Sequence, residues 1–359
     1  MDNQNQIFAD RFKSARTLNG LSLQELADKL EAINKKVSRQ ALHKYEKGEV
    51  LPDSEMIGLL ANALKVRPEF FFREQNVELG EINFRKHKSL PVKEENKVKE
   101  FTRDVLSRYL ELEEIIGIQK PFENPIADFP QVTNFLQVDE AAQKVREKWN
   151  LGTDPIYNLL ELLEDNNIKV IDAPMEDGFD GLQTNVNGTV PVIVYNSSKI
   201  KSPDRIRFTV MHELGHMLLS IPEELPENAK EKICNQFAGA MLFPKEAAFK
   251  ELGKTRHRLF IQELMHLKEQ YGISVQALIM RLSDLGIIND NYRRQFFFFI
   301  NQMGWKVEEP GEYKGEEKSN RFEQLLYRAL AEDLISMSKA ASLMNLKVSE
   351  FKAKSLMIG

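Results

Sequence analysis

Two histidines separated by one helical turn constrain this chain more than any other feature. Residues His212-Glu213-Leu214-Gly215-His216 have the form H-E-x-x-H. The apolar residues around them recur at helical spacing, at Phe208, Met211, Leu214 and Leu218. Because residues four apart lie on one face of a helix, both imidazoles can reach one tetrahedral zinc ion, with Glu213 beside it. The motif therefore predicts a helix that carries a zinc site.

A zinc site of this kind predicts hydrolysis of a peptide bond. Zinc polarises the carbonyl and lowers the pKa of water to roughly 7, and a nearby carboxylate passes the water's proton to the leaving amine. Glu213 is the predicted base. The alternative is a chance match in a helix with surface histidines. We favour the zinc site because the rest of the helix is apolar, and a buried cluster without metal would leave polar groups unpaired, at about 1–3 kcal/mol each.

A third protein ligand is needed, and the next helical run can supply it. This run, residues 231–244, begins with Glu231 after a short loop that contains two prolines. A carboxylate and two histidines leave one zinc position open for water, so Glu231 is the predicted ligand. The alternatives are Glu223, Glu224, Glu227 and Cys234. A lone cysteine among apolar residues, however, is more often a small buried side chain.

Two segments resemble a known family. The runs F-T-V-M-H-E-L-G-H-M-L-L and E-K-I-C-N-Q-F-A-G-A-M-L-F-P are similar to the metal-site segments of the ImmA/IrrE-type metallopeptidases. The resemblance implies a zincin-like metallopeptidase domain in which His212, His216 and Glu231 bind Zn²⁺ and Glu213 is the catalytic base. The chain departs from the family pattern at Cys234, where alanine is usual.

The N-terminal part of the chain has the pattern of a compact unit of five helices. Ser22, followed by Glu25 three residues later, predicts the start of its second helix. Ser38 predicts the N-cap of its third helix, which ends before Gly48. Its apolar side faces inward, and its open side carries Arg39, Gln40, His43 and Lys44.

This unit resembles the Cro/CI (XRE)-type helix-turn-helix domain, most closely in V-S-R-Q-A-L-H-K-Y-E-K-G. The resemblance implies that helix 38–47 enters the major groove of a double-stranded DNA operator. The implied DNA-binding residues are Gln24, Ser38, Arg39, Gln40, His43 and Lys44. Arg39 and Gln40 are the expected base readers, because their bidentate ends match guanine and adenine edges. The turn from Leu30 to Val37 is longer than usual, and a protein-docking domain of the same fold is the alternative.

The whole pattern predicts a mainly α-helical chain with a small β-sheet (α+β). We expect a helix-turn-helix domain at 1–75, a helical connector at 76–139, the metallopeptidase domain at 140–288 and a helical C-terminal region at 289–359. Residues 168–171 and 190–195 read as strands, and Pro191 predicts that the second is an edge strand able to bind an extended substrate. Residues 93–114 predict an amphipathic helix, and the four phenylalanines at 296–299 predict either core or a docking surface.

The composition of the chain limits its cellular location and its binding partners. The single cysteine excludes an internal disulfide framework and predicts a reducing, cytoplasmic environment. The chain begins without the basic and apolar regions of a signal peptide, and no apolar run approaches the ~20 residues of a membrane span. A net charge of −5 means that DNA binding must come from a local surface. We expect a homodimer, because operators of such domains usually offer two half-sites.

Two functions of different class are compatible with these features. The first is a DNA-binding transcriptional regulator that carries a zinc endopeptidase, with a repressor of helix-turn-helix type or a related regulator as its protein substrate. The second is an antitoxin-like or phage and mobile-element regulator, in which the metallopeptidase fold serves only as a sensor or partner-binding module. The first function requires catalytic turnover of a protein substrate, and the second does not.

Overall fold

The computed structural model describes residues 3–74, 77–80, 82, 90–175 and 178–355. It is mainly helical with one small β-sheet, as predicted. The N-terminal unit contains four α-helices and a 3-10 helix: α1 (Asn3–Leu18), α2 (Leu23–Glu31), α3 (Arg39–Glu46), α4 (Ser54–Ala63) and Pro68–Phe72. Ser22 caps α2 in a capping box with Glu25, and the Ser38 side chain caps α3, so both predicted helix starts are confirmed.

Helix α5 (Val92–Ile116) is the element against which the other units pack. The predicted amphipathic helix is confirmed, and its residues contact three different groups. Midway along the helix, the partly buried Asp104 accepts a hydrogen bond from the buried Arg11 of α1 at 2.8 Å. Val98 and Leu106 pack in one cluster with the sheet, and Tyr109 and Leu112 pack with the C-terminal helices. The sequence analysis treats this helix as part of a connector. In the structure it contributes to the hydrophobic cores of several units.

The sheet has three strands, β1 (Lys169–Asp172), β2 (Gly181–Val186) and β3 (Val190–Tyr195), in the order β1-β3-β2. Strand β3 pairs in parallel with β1 and antiparallel with β2. The prediction that residues 190–195 form an edge strand is therefore wrong, because β3 is central. Pro191 is tolerated because the ladder with β1 begins only at Val192. The two edge strands are β1 and β2, and the sequence analysis did not identify β2.

The sheet lies between α5 on one face and the largest core cluster on the other. The helices of this part are α6 (Phe135–Lys148), α7 (Leu159–Asp165), α8 (Pro203–Leu218), α9 (Glu227–Leu242), α10 (Lys245–Leu252), α11 (Ile261–Tyr271), α12 (Val275–Asp284) and α13 (Asp290–Gln302). Helix α9 begins at Glu227, so Glu231 lies one turn inside the helix and does not open it. Within the described chain, no helix is long and apolar enough to cross a membrane.

The C-terminal region forms three short helices, α14 (Arg321–Ala331), α15 (Met337–Leu343) and α16 (Val348–Lys354), which share a core with α5. The end of α15 is held by arginines from other units. Arg73 donates to the Ser342 carbonyl at 3.0 Å, and Arg108 of α5 donates to the Leu343 carbonyl at 2.8 Å. Arg67 donates to the Leu346 carbonyl. These bonds tie the C-terminal helices to the N-terminal unit.

Candidate metal centre and cleft

Helix α8 places both histidines of the motif at one point of the molecule. Pro203 occupies its first turn, where a missing N–H leaves no gap in the helical hydrogen bonds. His212 and Glu213 are buried, with 7 % and 4 % of their surface exposed. The two Nε2 atoms of His212 and His216 lie 3.2 Å apart. The predicted convergence of the imidazoles is therefore present.

Helix α9 packs along α8 and brings a carboxylate to the same point. Glu231 Oε2 lies 3.3 Å from His212 Nε2, and Glu231 Oε1 lies 3.3 Å from His216 Nε2. Ligand atoms 2.0–2.2 Å from a tetrahedral zinc ion are separated by about 3.3 Å. Two imidazole nitrogens and one carboxylate oxygen are also a donor set typical of catalytic zinc. Both the chemistry and the spacing of these three groups fit a zinc ion.

The other candidate ligands do not join this cluster. Within the described ranges, the group of possible metal-binding side chains with ligand atoms close together consists of His212, His216 and Glu231. It does not include Glu223, Glu224, Glu227 or Cys234. Cys234 is fully buried and lies under α8, as expected of a small apolar side chain.

A fourth polar residue, Asn235, supports the cluster and was not assigned a role from the sequence. Its Oδ1 lies 2.8 Å from His212 Nδ1. An imidazole that donates from Nδ1 keeps the lone pair of Nε2 for a metal, and such partners fix the orientation of ligating histidines. The signal in the sequence is its position four residues after Glu231, which puts both side chains on one face of α9.

Gly215 allows the two helices to approach closely. A Cβ at this position would lie 3.3 Å from the Cα of Cys234 and 3.2 Å from the ring of Phe237. The backbone for which this glycine makes room is that of α9. Because this approach sets the distance between the histidines and Glu231, Gly215 contributes to the geometry of the cluster.

Gly181, at the start of the edge strand β2, lies directly over Glu213. A Cβ there would be 2.6 Å from the Thr209 methyl group and 3.2 Å from Glu213 Cγ. Thr209 lies one turn before Glu213 in α8, so the glycine faces both side chains. The strand edge and the candidate base are therefore neighbours.

The cluster opens into a large cleft. The cavity has a volume of about 1460 Å³ and is lined by His212, Glu213 and Glu231 together with residues of α12 and of the loop 306–312. Its lining from α9 continues from Glu231 to Gly239 along one face of the helix. Small-molecule pockets commonly occupy about 300–1,000 Å³, so this cleft has the size for a polypeptide segment.

The predicted DNA-binding side chains lie on the exposed side of the N-terminal unit. All are exposed: Ser38, Arg39 and Gln40 at the start of α3, and His43 and Lys44 in its last turn. Gln24 is exposed on α2, where its amide donates to Asp28 at 2.8 Å. Residues 32–38 separate the two helices, in agreement with the long turn expected from the sequence.

Comparison with protein-family models identifies both units. Residues 163–283, which contain the sheet, the cluster and the helices through α12, match the model of the IrrE N-terminal-like domain in the peptidase M78 family. They form an IrrE N-terminal-like domain. Residues 12–71 match the model of a helix-turn-helix domain of the XRE type. The chain thus joins a DNA-binding domain to a peptidase-family domain, which confirms both resemblances. No curated protein and no solved structure matches the chain.

Proposed function

We propose that the chain is a zinc-dependent endopeptidase joined to a DNA-binding domain, and that it cleaves a protein regulator of transcription. His212, His216 and Glu231 hold the zinc ion. The observation that carries the proposal is the spacing of their ligand atoms at 3.2–3.3 Å inside an IrrE N-terminal-like domain. A partly buried cluster with this spacing is what two histidines and a carboxylate adopt around zinc.

Each residue around the cluster has a separate role in the proposed hydrolysis. Zinc held by these three residues would polarise the scissile carbonyl and lower the pKa of water. Glu213 accepts the proton of the attacking water and donates it to the nitrogen of the leaving peptide. Asn235 orients the ring of His212 through the contact at Nδ1. The low exposure of Glu213, 4 %, limits its own contact with bulk water and strengthens its interactions at the site.

The substrate backbone binds in an extended form beside β2. This strand is an edge of the sheet next to α8. Its end at Val186 is bridged by Leu79, whereas its first residue, Gly181, lies over Glu213 at the opposite end. An extended peptide can add to a sheet edge through main-chain hydrogen bonds, which bind it without regard to sequence. In a peptide bound in this way, the scissile peptide bond lies directly over Glu213, the proposed base.

The substrate is a repressor of helix-turn-helix type or a related regulator, and the chain itself binds its operator as a homodimer. The helix-turn-helix domain in the same chain supports this assignment, because DNA binding brings the peptidase to regulatory proteins on neighbouring sites. Arg39 and Gln40 read bases, and Gln24, Ser38, His43 and Lys44 contact the backbone and groove edges.

Incubation of the zinc-loaded chain with purified helix-turn-helix repressors of the same genome tests the proposed function. We expect a defined cut in at least one repressor by mass spectrometry. A chelator should stop the cut, and added zinc should restore it. Repressors that stay intact under all three conditions would contradict the substrate assignment.

Replacement of Gly181 by alanine should reduce the rate of cleavage. The added methyl group would press on Thr209 and Glu213, so β2 or the base must shift. A displacement of this size should lower kcat by about 10- to 100-fold with unchanged zinc content. Gly58→Ala is the matched control, because a Cβ at Gly58 has open space. A Gly181→Ala enzyme with wild-type kcat would contradict the positioning role of this glycine.

The double variant Arg39→Ala, Gln40→Ala should lose sequence-specific DNA binding. Each bidentate base contact contributes about 1–3 kcal/mol, so the Kd for DNA upstream of the coding sequence should rise by about 100-fold or more. The control is Arg294→Ala, Gln295→Ala, an equally exposed Arg-Gln pair on α13. Fluorescence anisotropy at fixed salt measures both, and equal affinity of the two double variants would contradict the assigned recognition surface.

A further inference from the structure

We infer that the cleft selects its substrate through an apolar wall, formed by Ala277, Met280, Phe297 and Val307, that binds a large apolar side chain of the polypeptide. This inference rests on the proposed peptidase function and adds a specificity element to it. The wall residues come from three different parts of the chain: α12, α13 and the loop 306–312.

The four wall residues are apolar side chains that the core covers only in part or not at all. Ala277 and Met280 lie three residues apart on one face of α12, while Leu278, Ile279 and Leu282 of the same helix are buried. Met280 is 37 % exposed and Val307 is 73 % exposed. Both line the cleft. An exposed apolar surface inside a cleft is typical of a binding site.

Phe297 resolves the ambiguity of the four phenylalanines at 296–299. Phe296 is buried in the core at 8 % exposure, whereas Phe297 is half-buried and lines the cleft. One phenylalanine therefore anchors α13, and its neighbour contributes its ring to the wall. The run serves both purposes that the sequence left open.

The wall is continuous with the metal centre. The cavity that it lines also contains His212, Glu213 and Glu231. Phe208 lies one turn before His212 on the same face of α8 and adds a further apolar side chain between the two ends. A polypeptide bound at the base can therefore extend along the same cleft to the wall.

The loop that carries Val307 is fixed in place by Glu309. This carboxylate is 6 % exposed and accepts hydrogen bonds from the backbone N–H groups of Val275, at 2.6 Å, and Gln276, at 3.0 Å. Lys268 Nζ lies 3.4 Å from it. Because these contacts attach the loop to the start of α12, Val307 and Met280 keep a fixed relation before any substrate binds.

Half of the wall lies outside the peptidase-family domain. The family model ends at residue 283, and Phe297 and Val307 follow it. The domain supplies the metal cluster and the base, while the appended α13 and loop supply the part of the cleft that distinguishes one side chain from another. Substrate choice can thus vary without change to the catalytic residues.

The test uses a defined library of unstructured 14-residue peptides, with cleavage sites read by mass spectrometry. The proteins are the full-length zinc-loaded chain, Met280→Glu, Val307→Glu and the control Val92→Glu. Val92 is 71 % exposed and lies outside the cleft, so it matches Val307 in type and exposure. Zinc content and the thermal unfolding midpoint are measured for each protein to separate loss of folding from loss of recognition.

We expect wild-type cuts to show a large apolar residue at one fixed position relative to the scissile bond. Met280→Glu and Val307→Glu should lower kcat/KM for those peptides by about tenfold or more and shift the position toward basic residues. Val92→Glu should behave as wild type. Cleavage with an unchanged preference in both cleft variants would overturn this inference and leave the peptidase function standing. A zinc-loaded wild type that cuts no peptide would contradict the proposed function, and the inference with it.

Discussion

Replacement of Glu213 by glutamine should abolish cleavage and leave the zinc content unchanged. Glutamine has nearly the same shape as glutamate but cannot accept the proton of the attacking water. General base catalysis contributes about 10²–10⁴-fold, so kcat should fall by that factor. The metal ligands are His212, His216 and Glu231 in our proposal, and none of them is altered, so elemental analysis should still find zinc.

A matched control variant tests whether the loss of cleavage is specific to Glu213. Glu227→Gln changes an exposed glutamate in the first turn of α9 that lies outside the metal cluster. We expect it to cleave at the wild-type rate. Cleavage by Glu213→Gln at a rate near that of Glu227→Gln would show that another group serves as the base.

Replacement of Arg207 by methionine should strongly destabilise the peptidase domain. Arg207 is fully buried, donates to the carbonyls of Ile156 at 2.8 Å and Gly272 at 3.0 Å, and pairs with Glu317. Glu317 is itself 1 % exposed, so the variant leaves a buried carboxylate without its cation. Loss of one partner of such a pair lowers the free energy of unfolding by about 3–5 kcal/mol. Urea unfolding followed by circular dichroism measures the change.

The destabilisation should depend on pH in a defined direction. Burial raises the pKa of Glu317 above its ordinary value, and Arg207 opposes this rise. Without Arg207 the folded-state pKa rises further, while the unfolded state keeps the ordinary value of 4.5. Ionisation then favours the unfolded state in both proteins as pH rises above 4.5, but in the wild type this loss of stability ends at the lower folded-state pKa. The deficit of the variant therefore grows from the folded-state pKa of the wild type to that of the variant. The deficit should be larger at about pH 8 than at about pH 5.

Two controls separate the buried pair from a general effect of losing an arginine. Arg256→Met removes an arginine whose pair with Glu263 is partly exposed, at 29 % and 34 %, and it should lower the free energy of unfolding by at most about 1 kcal/mol. Adding Glu317→Gln to Arg207→Met should recover part of the stability and remove the pH dependence. Equal unfolding midpoints for Arg207→Met and Arg256→Met would contradict this account.

Features that depend on a few neighbouring residues could be predicted from the sequence. The H-E-x-x-H spacing gives the position of both histidines on one helix face, and the Ser22 and Ser38 caps are local hydrogen bonds that begin α2 and α3. The periodic apolar positions of α5 likewise predict its helix. None of these requires knowledge of a distant part of the chain.

Features that depend on distant packing could not be predicted in the same way. Whether a strand is central or at an edge depends on the strands beside it. The wrong assignment of β3 as an edge strand rested on Pro191 alone, and β2 was not predicted at all. The choice of Glu231 over nearby glutamates and Cys234 depends on how α9 packs against α8 at Gly215. Likewise, the division of the phenylalanines between core and cleft depends on how α13 packs against the rest of the domain.

The zinc content of the purified protein tests the central claim most directly, with wild type, His216→Ala, Glu231→Ala and Glu227→Ala measured by elemental analysis side by side. We predict about one zinc per chain in the wild type and in Glu227→Ala, and a loss of zinc in the other two variants. Full zinc in Glu231→Ala would exclude Glu231 as the third ligand. A wild type that holds no zinc, even after zinc is added back, would contradict the metallopeptidase function itself.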